Sequence, residues 1–204
     1  MYNKKTMNTY LKKTGMVAVC ALAARGAGSL ILVVGVTSLF LPDSSAEALC
    51  DSLNSKQWEL AKDKIAKSEN VNQKCYFGGT ALHVAVEGGN AEVVSLLLER
   101  GADPLTSDYF DETALHHAIF TNDVEIVRLL LEHGADPSED LSEEDGGMQP
   151  LHFAIIGNEV EIVRLLLEHG ADPLAKISVD GSTGTPLDLT TDEEIIDLLH
   201  QAAK

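Results

Sequence analysis

The histidines are the residues of this 204-residue chain whose spacing first suggests chemistry. His83, His116 and His152 recur at intervals of 33 and 36 residues, and His117 directly follows His116. Two histidines that bind one metal ion from the same helix stand roughly three or four residues apart, because that spacing places both on one face. Adjacent histidines face apart, and the long interval puts one histidine in each of several similar units. The pattern therefore predicts structural histidines and no metal site.

No other combination of residues matches a catalytic signature. The chain has no GxSxG, HExxH or CxxC motif and no phosphate-binding loop. The acidic segment Ser138–Gly147 has the composition of a calcium loop, but its acidic residues do not have the spacing of calcium ligands. We therefore predict a protein that is not an enzyme and that needs no cofactor.

The intervals between the histidines belong to a longer repeat. The stretch "EIVRLLLEHGADP" occurs at Glu125–Pro137 and again at Glu161–Pro173, and "EVVSLLLERGADP" occurs at Glu92–Pro104. A weaker copy begins at Thr185. Self-similarity at this period is typical of a stacked array, in which a unit cannot bury its apolar face alone and needs its neighbours.

Each unit is predicted to contain two short helices. The second helix of the first unit carries Val93, Val94 and three leucines, an apolar surface that must be buried between neighbouring units. Residue types that tolerate the left-handed conformation at a helix end follow both helices in each unit. These residues are Gly89, Asn122 and Asn158 after the first helix, and Gly101, Gly134 and Gly170 after the second.

These motifs resemble the ankyrin repeat. The segments "TALHVA" at Thr80, "TALHHA" at Thr113 and "QPLHFA" at Gln149 are similar to the family pattern T-P-L-H-x-A, and each precedes a leucine-rich helix and G-A-D. The resemblance implies an all-α solenoid of helix-turn-helix units with loop or β-hairpin fingers between them. It also implies that the histidine of each motif hydrogen-bonds the backbone of the adjoining loop.

The resemblance also sets the expected domain boundaries. Residues 47–74 form an N-terminal cap, residues 80–112, 113–148 and 149–184 form three repeats, and residues 185–204 form a C-terminal cap. Capping units are expected because an array exposes an apolar face at each end. The expected core contacts of the N-terminal cap are Trp58, Leu60, Ala61 and Ile65. Two departures from the family pattern are Asp111, which replaces a turn glycine, and Asp188, which stands where the other units have histidine.

Residues 1–46 are predicted to lie outside the repeats, as a hydrophobic signal or anchor helix. Four lysines precede an apolar run at Gly15–Leu41 that Arg25 interrupts. A basic start, an apolar stretch and small residues indicate a signal peptide, with cleavage after Ala46 or Ala48. A leader of about 46 residues is long compared with the usual ~15–30. Two alternatives are a start at a later methionine and a segment that remains as a membrane anchor.

Either fate of the leader predicts the same side of the membrane for the repeats. A basic end stays in the cytoplasm, so the repeats are expected in the periplasm, outside the cell, or anchored on the non-cytoplasmic face. The chain is thus similar to a small exported ankyrin protein, and we expect a bacterial origin.

The remaining residues are strongly acidic. Residues 47–204 hold 10 basic and 31 acidic residues, a formal charge of −21. This balance argues against nucleic acid and against anionic lipid, apart from membrane contact through the N-terminal segment. It favours a basic protein partner. We expect a monomer apart from that partner.

The two cysteines after the leader, Cys50 and Cys75, are 25 residues apart. In an oxidising compartment they are expected to form a disulfide that closes a short loop at the N-terminal cap. The alternative is a pair of reduced thiols.

The resemblance places the partner surface on the finger loops and on the inner face of the first helices. Five of the seven aromatic residues after Ala46 fall at these positions, and aromatic residues are common anchors of protein interfaces. The predicted partner-binding residues are Tyr76, Phe77, Tyr109, Phe110, Glu112, Phe120, Met148 and Ile156. An alternative is that the finger aromatics pack on each other and stiffen the loops.

The predicted function is a non-catalytic protein-interaction module that is exported across a membrane. Two alternatives stay open. One is a periplasmic inhibitor, immunity or accessory protein of an exported enzyme, and the other is a purely structural membrane-anchored scaffold.

Overall fold

The computed structural model describes residues 44–140, 147–179 and 182–204. The predicted signal or anchor lies outside these residues except for positions 44–46, as does most of the acidic segment. Among the described helices, none combines the length and the apolar character that a bilayer span requires.

The described residues form helical segments that follow one another in pairs. The pairs are α1 (Ser44–Asn54) with α2 (Trp58–Lys67), α3 (Ala81–Glu87) with α4 (Ala91–Glu99), α5 (Ala114–Phe120) with α6 (Val124–Glu132), α7 (Pro150–Gly157) with α8 (Val160–Glu168), and a 3-10 helix (Pro186–Leu189) with α9 (Glu193–Ala202). A further 3-10 turn spans Tyr76–Gly78. Strands β1 (Ile177–Val179) and β2 (Ser182–Gly184) form an antiparallel hairpin in which Ile177 lies opposite Gly184.

The pairs stack into two rows, as the repeat pattern predicts. Helices α1, α3, α5 and α7 pack one on the next, and helices α2, α4, α6, α8 and α9 form the second row. The core lies between the rows and is filled by side chains at the repeated positions. Fully buried examples are Leu82, Leu97, Leu115, Leu130, Leu151 and Leu166. This arrangement agrees with the predicted ankyrin-type solenoid.

The turns within the pairs have the predicted backbone conformation. Asn122 and Asn158 have φ angles of 55° and 61°, at the place where the first repeat has Gly89 with φ 70°. Asparagine tolerates this left-handed region better than most residues, so the helix pair can reverse direction without glycine.

The repeated histidines cap the first helix of each pair. Their Nδ1 atoms accept the backbone N–H three residues earlier, in the pairs Thr80–His83 (3.0 Å), Thr113–His116 (3.2 Å) and Gln149–His152 (3.0 Å). In the neutral ring, Nδ1 as acceptor leaves the proton on Nε2. The Nε2 atom of His152 lies 3.1 Å from the backbone oxygen of Ala175 in the next loop. The bond to the adjoining loop that the resemblance implies is therefore seen at His152, whereas the buried Nε2 atoms of His83 and His116 have no such partner among the described residues.

The last unit obtains the same cap from a carboxylate. Asp188 replaces the histidine, and its Oδ2 accepts the backbone N–H of Thr185 at 2.8 Å and the hydroxyl of the same threonine at 2.9 Å. Asp188 thus keeps a hydrogen-bond acceptor for the helix start, but it has no group equivalent to the Nε2 atom with which His152 reaches the next loop.

The N-terminal cap corrects one expectation. Ala61 and Ile65 are fully buried, and the partly buried Trp58 packs against the core. Leu60 is 43% exposed, because it lies on the opposite face of α2 from Ala61 and Ile65. Helix α1 supplies the missing apolar surface through the buried Leu53 and its neighbour Leu49.

A disulfide joins α1 to the first finger loop. Cys50 and Cys75 are bonded, with their Cα atoms 5.9 Å apart. Because Cys75 directly precedes Tyr76, the bond holds the start of the finger against the cap.

Candidate protein-binding site

Two finger loops precede helices α3 and α5 and lie side by side. A single β-bridge closes each of them, Lys74 with Thr80 in finger 1 (residues 74–80) and Ser107 with Thr113 in finger 2 (residues 107–113). Lys74 Nζ donates to the backbone oxygen of Ser107 at 2.7 Å. The backbone N–H of Tyr109 donates to the backbone oxygen of Phe77 at 3.0 Å. The two fingers therefore present one joined surface.

This surface carries three large exposed aromatic side chains, which we call the aromatic strip: Phe77, Tyr109 and Phe110. Their exposed fractions are 66%, 80% and 48%. Large aromatic side chains exposed on neighbouring loops are candidate anchors for a ligand or a partner. The expectation that these three aromatics are accessible thus agrees with the structure, whereas the side chain of Tyr76 lies outside the described residues.

Local backbone geometry holds the aromatic strip in place. Phe77 has a φ angle of 52°, which is a strained conformation for a bulky side chain. The ring of Tyr109 lies against Gly78, where a Cβ atom would overlap with the ring. Strained backbone is found mainly where function needs a fixed side chain, and here it presents an aromatic ring to solvent.

Asp108 organises the turn that carries Tyr109 and Phe110. Its Oδ1 accepts the backbone N–H of Phe110 at 2.8 Å and that of Glu112 at 3.1 Å. Asp111, where the family has glycine, adopts a φ angle of 60°. An aspartate is among the residues that best tolerate this conformation, so the turn survives the substitution.

Four other predicted contact residues occupy different environments. Glu112 and Met148 are buried, with exposures of 7% and 5%, so they do not belong to the accessible surface that the sequence pattern assigned to them. Phe120 and Ile156 are half-buried. The ring of Phe120 packs edge-to-face on Phe153, with centroids 5.1 Å apart, which accounts for its partial burial.

Glu112 turns inward because it faces His117. The nearly buried His117 and the carboxylates around it form what we call the carboxylate–histidine cluster: His117, Glu87, Asp108 and Glu112. The Nδ1 atom of His117 is 3.2 Å from Glu87 Oε1, and its Nε2 atom is 3.2 Å from Asp108 Oδ2 and 3.4 Å from Glu112 Oε2. Helix α3 contributes Glu87, finger 2 contributes Asp108 and Glu112, and helix α5 contributes His117.

The carboxylate–histidine cluster raises the pKa of His117, whereas the pKa values of His83 and His116 in the first row of helices are lowered. Burial alone would lower the pKa of His117, but the hydrogen bonds to Asp108 and Glu87 and the charge of Glu112 outweigh it and raise the pKa to about 9. Burial, helped by the charge of His117, lowers the pKa values of His83 and His116 to about 4. Burial also opposes ionisation of Asp108, yet the hydrogen bonds from His117 and from the Phe110 and Glu112 backbone hold its pKa below the usual value.

Sequence reasoning missed His117, which it treated only as a neighbour of His116 that faces away. One signal was available. His117 takes the position of Val84 in the preceding repeat and of Phe153 in the following repeat. A titratable residue at a position that is apolar in the neighbouring units predicts a local polar partner, because a buried charge needs one.

The fold and the site together define a class: a solenoid of stacked helix pairs with joined finger loops and no sheet other than a short hairpin within the described residues. The family profile described as ankyrin repeats (3 copies) matches residues 48–141 and 101–177. The chain belongs to the ankyrin repeat family. Members of this family generally act as protein–protein interaction modules and are typically not catalysts.

Among characterised proteins, the chain is similar to an L-asparaginase of Dirofilaria immitis, with 38% identity over 60 residues. Those residues are 29% of this chain and 10% of that protein. The chain thus spans about a tenth of the length of this relative.

Proposed function

We propose that the chain is an exported, non-catalytic interaction module that binds another protein through the aromatic strip. The exposure of Phe77, Tyr109 and Phe110 on two joined fingers carries the proposal. Exposed aromatic side chains on a rigid backbone lose little conformational entropy on binding, so they make effective interface anchors. We do not propose asparaginase activity, because the similarity covers only a tenth of that enzyme.

The proposed partner is a basic protein. The formal charge of −21 on residues 47–204 supports this choice, as does the half-exposed carboxylate of Glu87. A negative surface speeds the capture of a basic partner, and salt weakens that effect.

The proposed location is the periplasm, the cell exterior or the outer face of a membrane. The basic and apolar character of residues 1–46 supports export. The bond between Cys50 and Cys75 also supports it, because structural disulfides persist in oxidising compartments. Fractionation of cells, followed by measurement of the mature mass, tests the location. A mass beginning after Ala46 or Ala48 indicates cleavage, an intact mass in the membrane fraction indicates an anchor, and a cytosolic protein contradicts export.

The binding surface is tested by photo-crosslinking in intact cells. A photo-reactive residue at Tyr109 is expected to capture a specific protein, whereas the same residue at Leu174, which is 54% exposed, is not. Purified partner then allows the affinity to be measured. The change Tyr109→Ala with Phe110→Ala is expected to weaken binding by at least about 30-fold, since truncation of a single interface anchor costs about 2 kcal/mol or more.

The matched control is Leu105→Ala with Leu174→Ala, which removes similarly exposed apolar side chains outside the strip. This control is expected to bind as the unchanged protein does. Equal binding by the Tyr109/Phe110 variant would contradict the proposed surface. If that variant instead loses thermal stability along with binding, the aromatics serve mainly to stiffen the fingers.

The identity of the captured protein distinguishes the remaining alternatives. An exported enzyme whose activity changes on binding would make the chain its inhibitor or accessory protein. Absence of any partner at both crosslinking positions would favour a structural scaffold.

A further inference from the structure

We propose that Asp108, Glu112 and His117 form a binding site for a divalent transition-metal ion of the zinc class. This inference is independent of the proposed protein-binding function. It concerns the carboxylate–histidine cluster beneath finger 2, which the aromatic strip does not include.

The positions of the donor atoms fit such an ion. The three residues each offer one ligand atom, and these atoms lie within 4.8 Å of one another. The distances from His117 Nε2 to Asp108 Oδ2 and Glu112 Oε2 are 3.2 and 3.4 Å. A tetrahedral zinc ion with bonds of about 2.0–2.2 Å has ligand atoms about 3.3–3.6 Å apart. Both distances are therefore close to the separation between two ligand atoms of a tetrahedral zinc site.

The same distances are long for hydrogen bonds between charged groups. A strong hydrogen bond from a positive nitrogen to a carboxylate spans about 2.7–2.9 Å. Moreover, Nε2 carries a single hydrogen, which can point well at only one of the two carboxylates that lie near it. A metal ion bonded to Nε2 can bind both carboxylates at once.

The charge of the cluster also favours a divalent cation. Three carboxylates surround one imidazole ring, and the side chains of His117, Asp108 and Glu112 are only 9%, 7% and 9% exposed. The carboxylate of Glu87 is half-exposed. Among the shielded groups, a protonated imidazole and the carboxylates of Asp108 and Glu112 leave an excess of one negative charge, and burying unbalanced charge is costly. A divalent ion with a neutral imidazole balances these two carboxylates.

The second ring nitrogen is held as in known metal sites. Glu87 Oε1 lies 3.2 Å from Nδ1 of His117. Metal-binding histidines usually donate their other N–H to a carboxylate, which fixes the ring orientation and makes the ligand nitrogen more basic. Glu87 would thus be a positioning residue, while Asp108, Glu112 and His117 would be the ligands.

The mixed donor set indicates the class of ion. Imidazole nitrogen suits zinc and its neighbours among the transition metals, whereas calcium and magnesium prefer oxygen ligands alone. Binding breaks the Nε2–H bond of the imidazolium and forms an Nε2–metal bond, and the proton passes to solvent. No electron is transferred, and the ion keeps its charge.

The test uses the full-length protein, stripped of metal with a chelator and then titrated with Co²⁺ as a coloured substitute for zinc. We expect one equivalent to bind with the visible absorption of a four-coordinate site, release of a proton, and displacement by Zn²⁺. His117→Gln is expected to abolish this equivalent. Glu87→Gln is expected to weaken it by about 10–100-fold, as is usual when such a supporting carboxylate is lost.

The matched control is His133→Gln, which removes an exposed histidine of helix α6's C-terminal end and is expected to leave binding unchanged. If His117→Gln fails to fold, the Co²⁺ affinity of Glu87→Gln tests the proposal instead. An affinity equal to that of the unchanged protein overturns the proposal. The proposal is also overturned if Co²⁺ does not saturate a single site, or if binding survives His117→Gln. In those cases His117 is a charged partner of its carboxylates only. None of these outcomes bears on partner binding by the aromatic strip.

Discussion

Two adjacent histidines of helix α5 have different charge states. His116 is enclosed by the core and neutral, while His117 is surrounded by carboxylates and charged. A histidine in an unfolded chain has a pKa of about 6.5, so folding lowers the pKa of His116 and raises the pKa of His117. The sign of each displacement decides how stability depends on pH.

We predict that stability, measured with a chelator present, is greatest near pH 6.5 and falls on both sides. His83 and His116 have lowered pKa values in the folded protein. As the pH falls from about 6.5 to about 4, the unfolded chain binds protons at these histidines and the folded chain does not, so the free energy of unfolding decreases. His117 has a raised pKa, so its contribution is present below about pH 6.5 and is lost towards about pH 9. Each histidine changes the free energy of unfolding by at most about 1.4 kcal/mol per pH unit.

Urea unfolding across this pH range checks the prediction. The charged and titratable groups that act on His117 are Glu87, Asp108 and Glu112, and the ring of His83 meets it edge-on at 5.5 Å. Those that act on His83 are His117, Asp108 and Lys74. The variant His117→Gln is expected to lose the decline above pH 6.5 and to keep a decline below it. A stability that rises steadily to pH 9 would contradict the assignment of charge to His117.

A second prediction at this scale concerns Gly78. The change Gly78→Ala places a methyl group at a φ angle of 77° and against the ring of Tyr109. Gly89→Ala is the matched control, because Gly89 has φ 70° and no atom within 4 Å of the added Cβ. The control is expected to cost about 1–2 kcal/mol for the backbone alone. Gly78→Ala is expected to cost more than the control, because the exposed ring of Tyr109 must move away from the added methyl group.

Chemical denaturation of both variants measures the difference. Adding Tyr109→Ala to Gly78→Ala is expected to remove the excess, since the overlapping ring is then gone. Equal losses for the two glycine variants would show that Tyr109 does not rest on Gly78 in solution.

At the scale of elements, the fingers depend on what closes their bases. Finger 2 is organised by Asp108, whereas the corresponding position in finger 1 is Cys75, which is bonded to Cys50 of helix α1. The disulfide of Cys75 therefore occupies the position that the carboxylate of Asp108 occupies in the next repeat. Among the described residues, only helices α1 and α2 precede finger 1, and the disulfide ties the finger to α1.

We predict that Cys50→Ser with Cys75→Ser lowers the free energy of unfolding by about 3 kcal/mol, because the unfolded chain loses a cross-link over 25 residues. Hydrogen exchange is expected to rise most in helix α1 and finger 1. Reduction of the unchanged protein is the control and should give the same local pattern. An increase spread evenly over all repeats would contradict a local role for the bond.

The described repeat units form a linear stack in which each unit packs mainly against its neighbours. Ion pairs join successive helices of the second row, from Lys62 to Glu92 (2.6 Å), and from Arg164 to Glu194 (3.1 Å). The acidic partners are exposed and the basic partners partly exposed, and ion pairs near the surface contribute little. Stability therefore comes mainly from the apolar contacts between units, and a unit in the middle has twice as many neighbours as one at the end.

We predict that equal truncations have different effects along the stack. Leu130 in α6 and Leu199 in α9 are both fully buried, but α6 packs against α4 and α8, while within the described residues α9 packs against α8 alone in this row. Leu130→Ala is expected to cost about 2–5 kcal/mol of global stability. Leu199→Ala is expected to cost less globally and to raise hydrogen exchange mainly in α9. Equal global losses and equal exchange patterns would contradict a stack of nearest neighbours.

The sequence by itself determined the repeat, the helix ends, the structural class of the repeated histidines and the place of the aromatic residues on the fingers. These features depend on periodic apolar residues and on turn residues such as Asn122 and Gly89, whose effects are local and recur in each unit. The pattern of finger residues likewise placed Tyr109 and Phe110 at a loop tip.

Only the tertiary structure decided which polar side chains meet. Glu87 and His117 are 30 residues apart and approach each other because α3 packs on α5, which also draws Glu112 inward. Packing likewise buries Met148 and leaves Leu60 in solvent. Such contacts depend on side-chain geometry between neighbouring units, and a repeat pattern specifies the units without specifying how their variable residues meet.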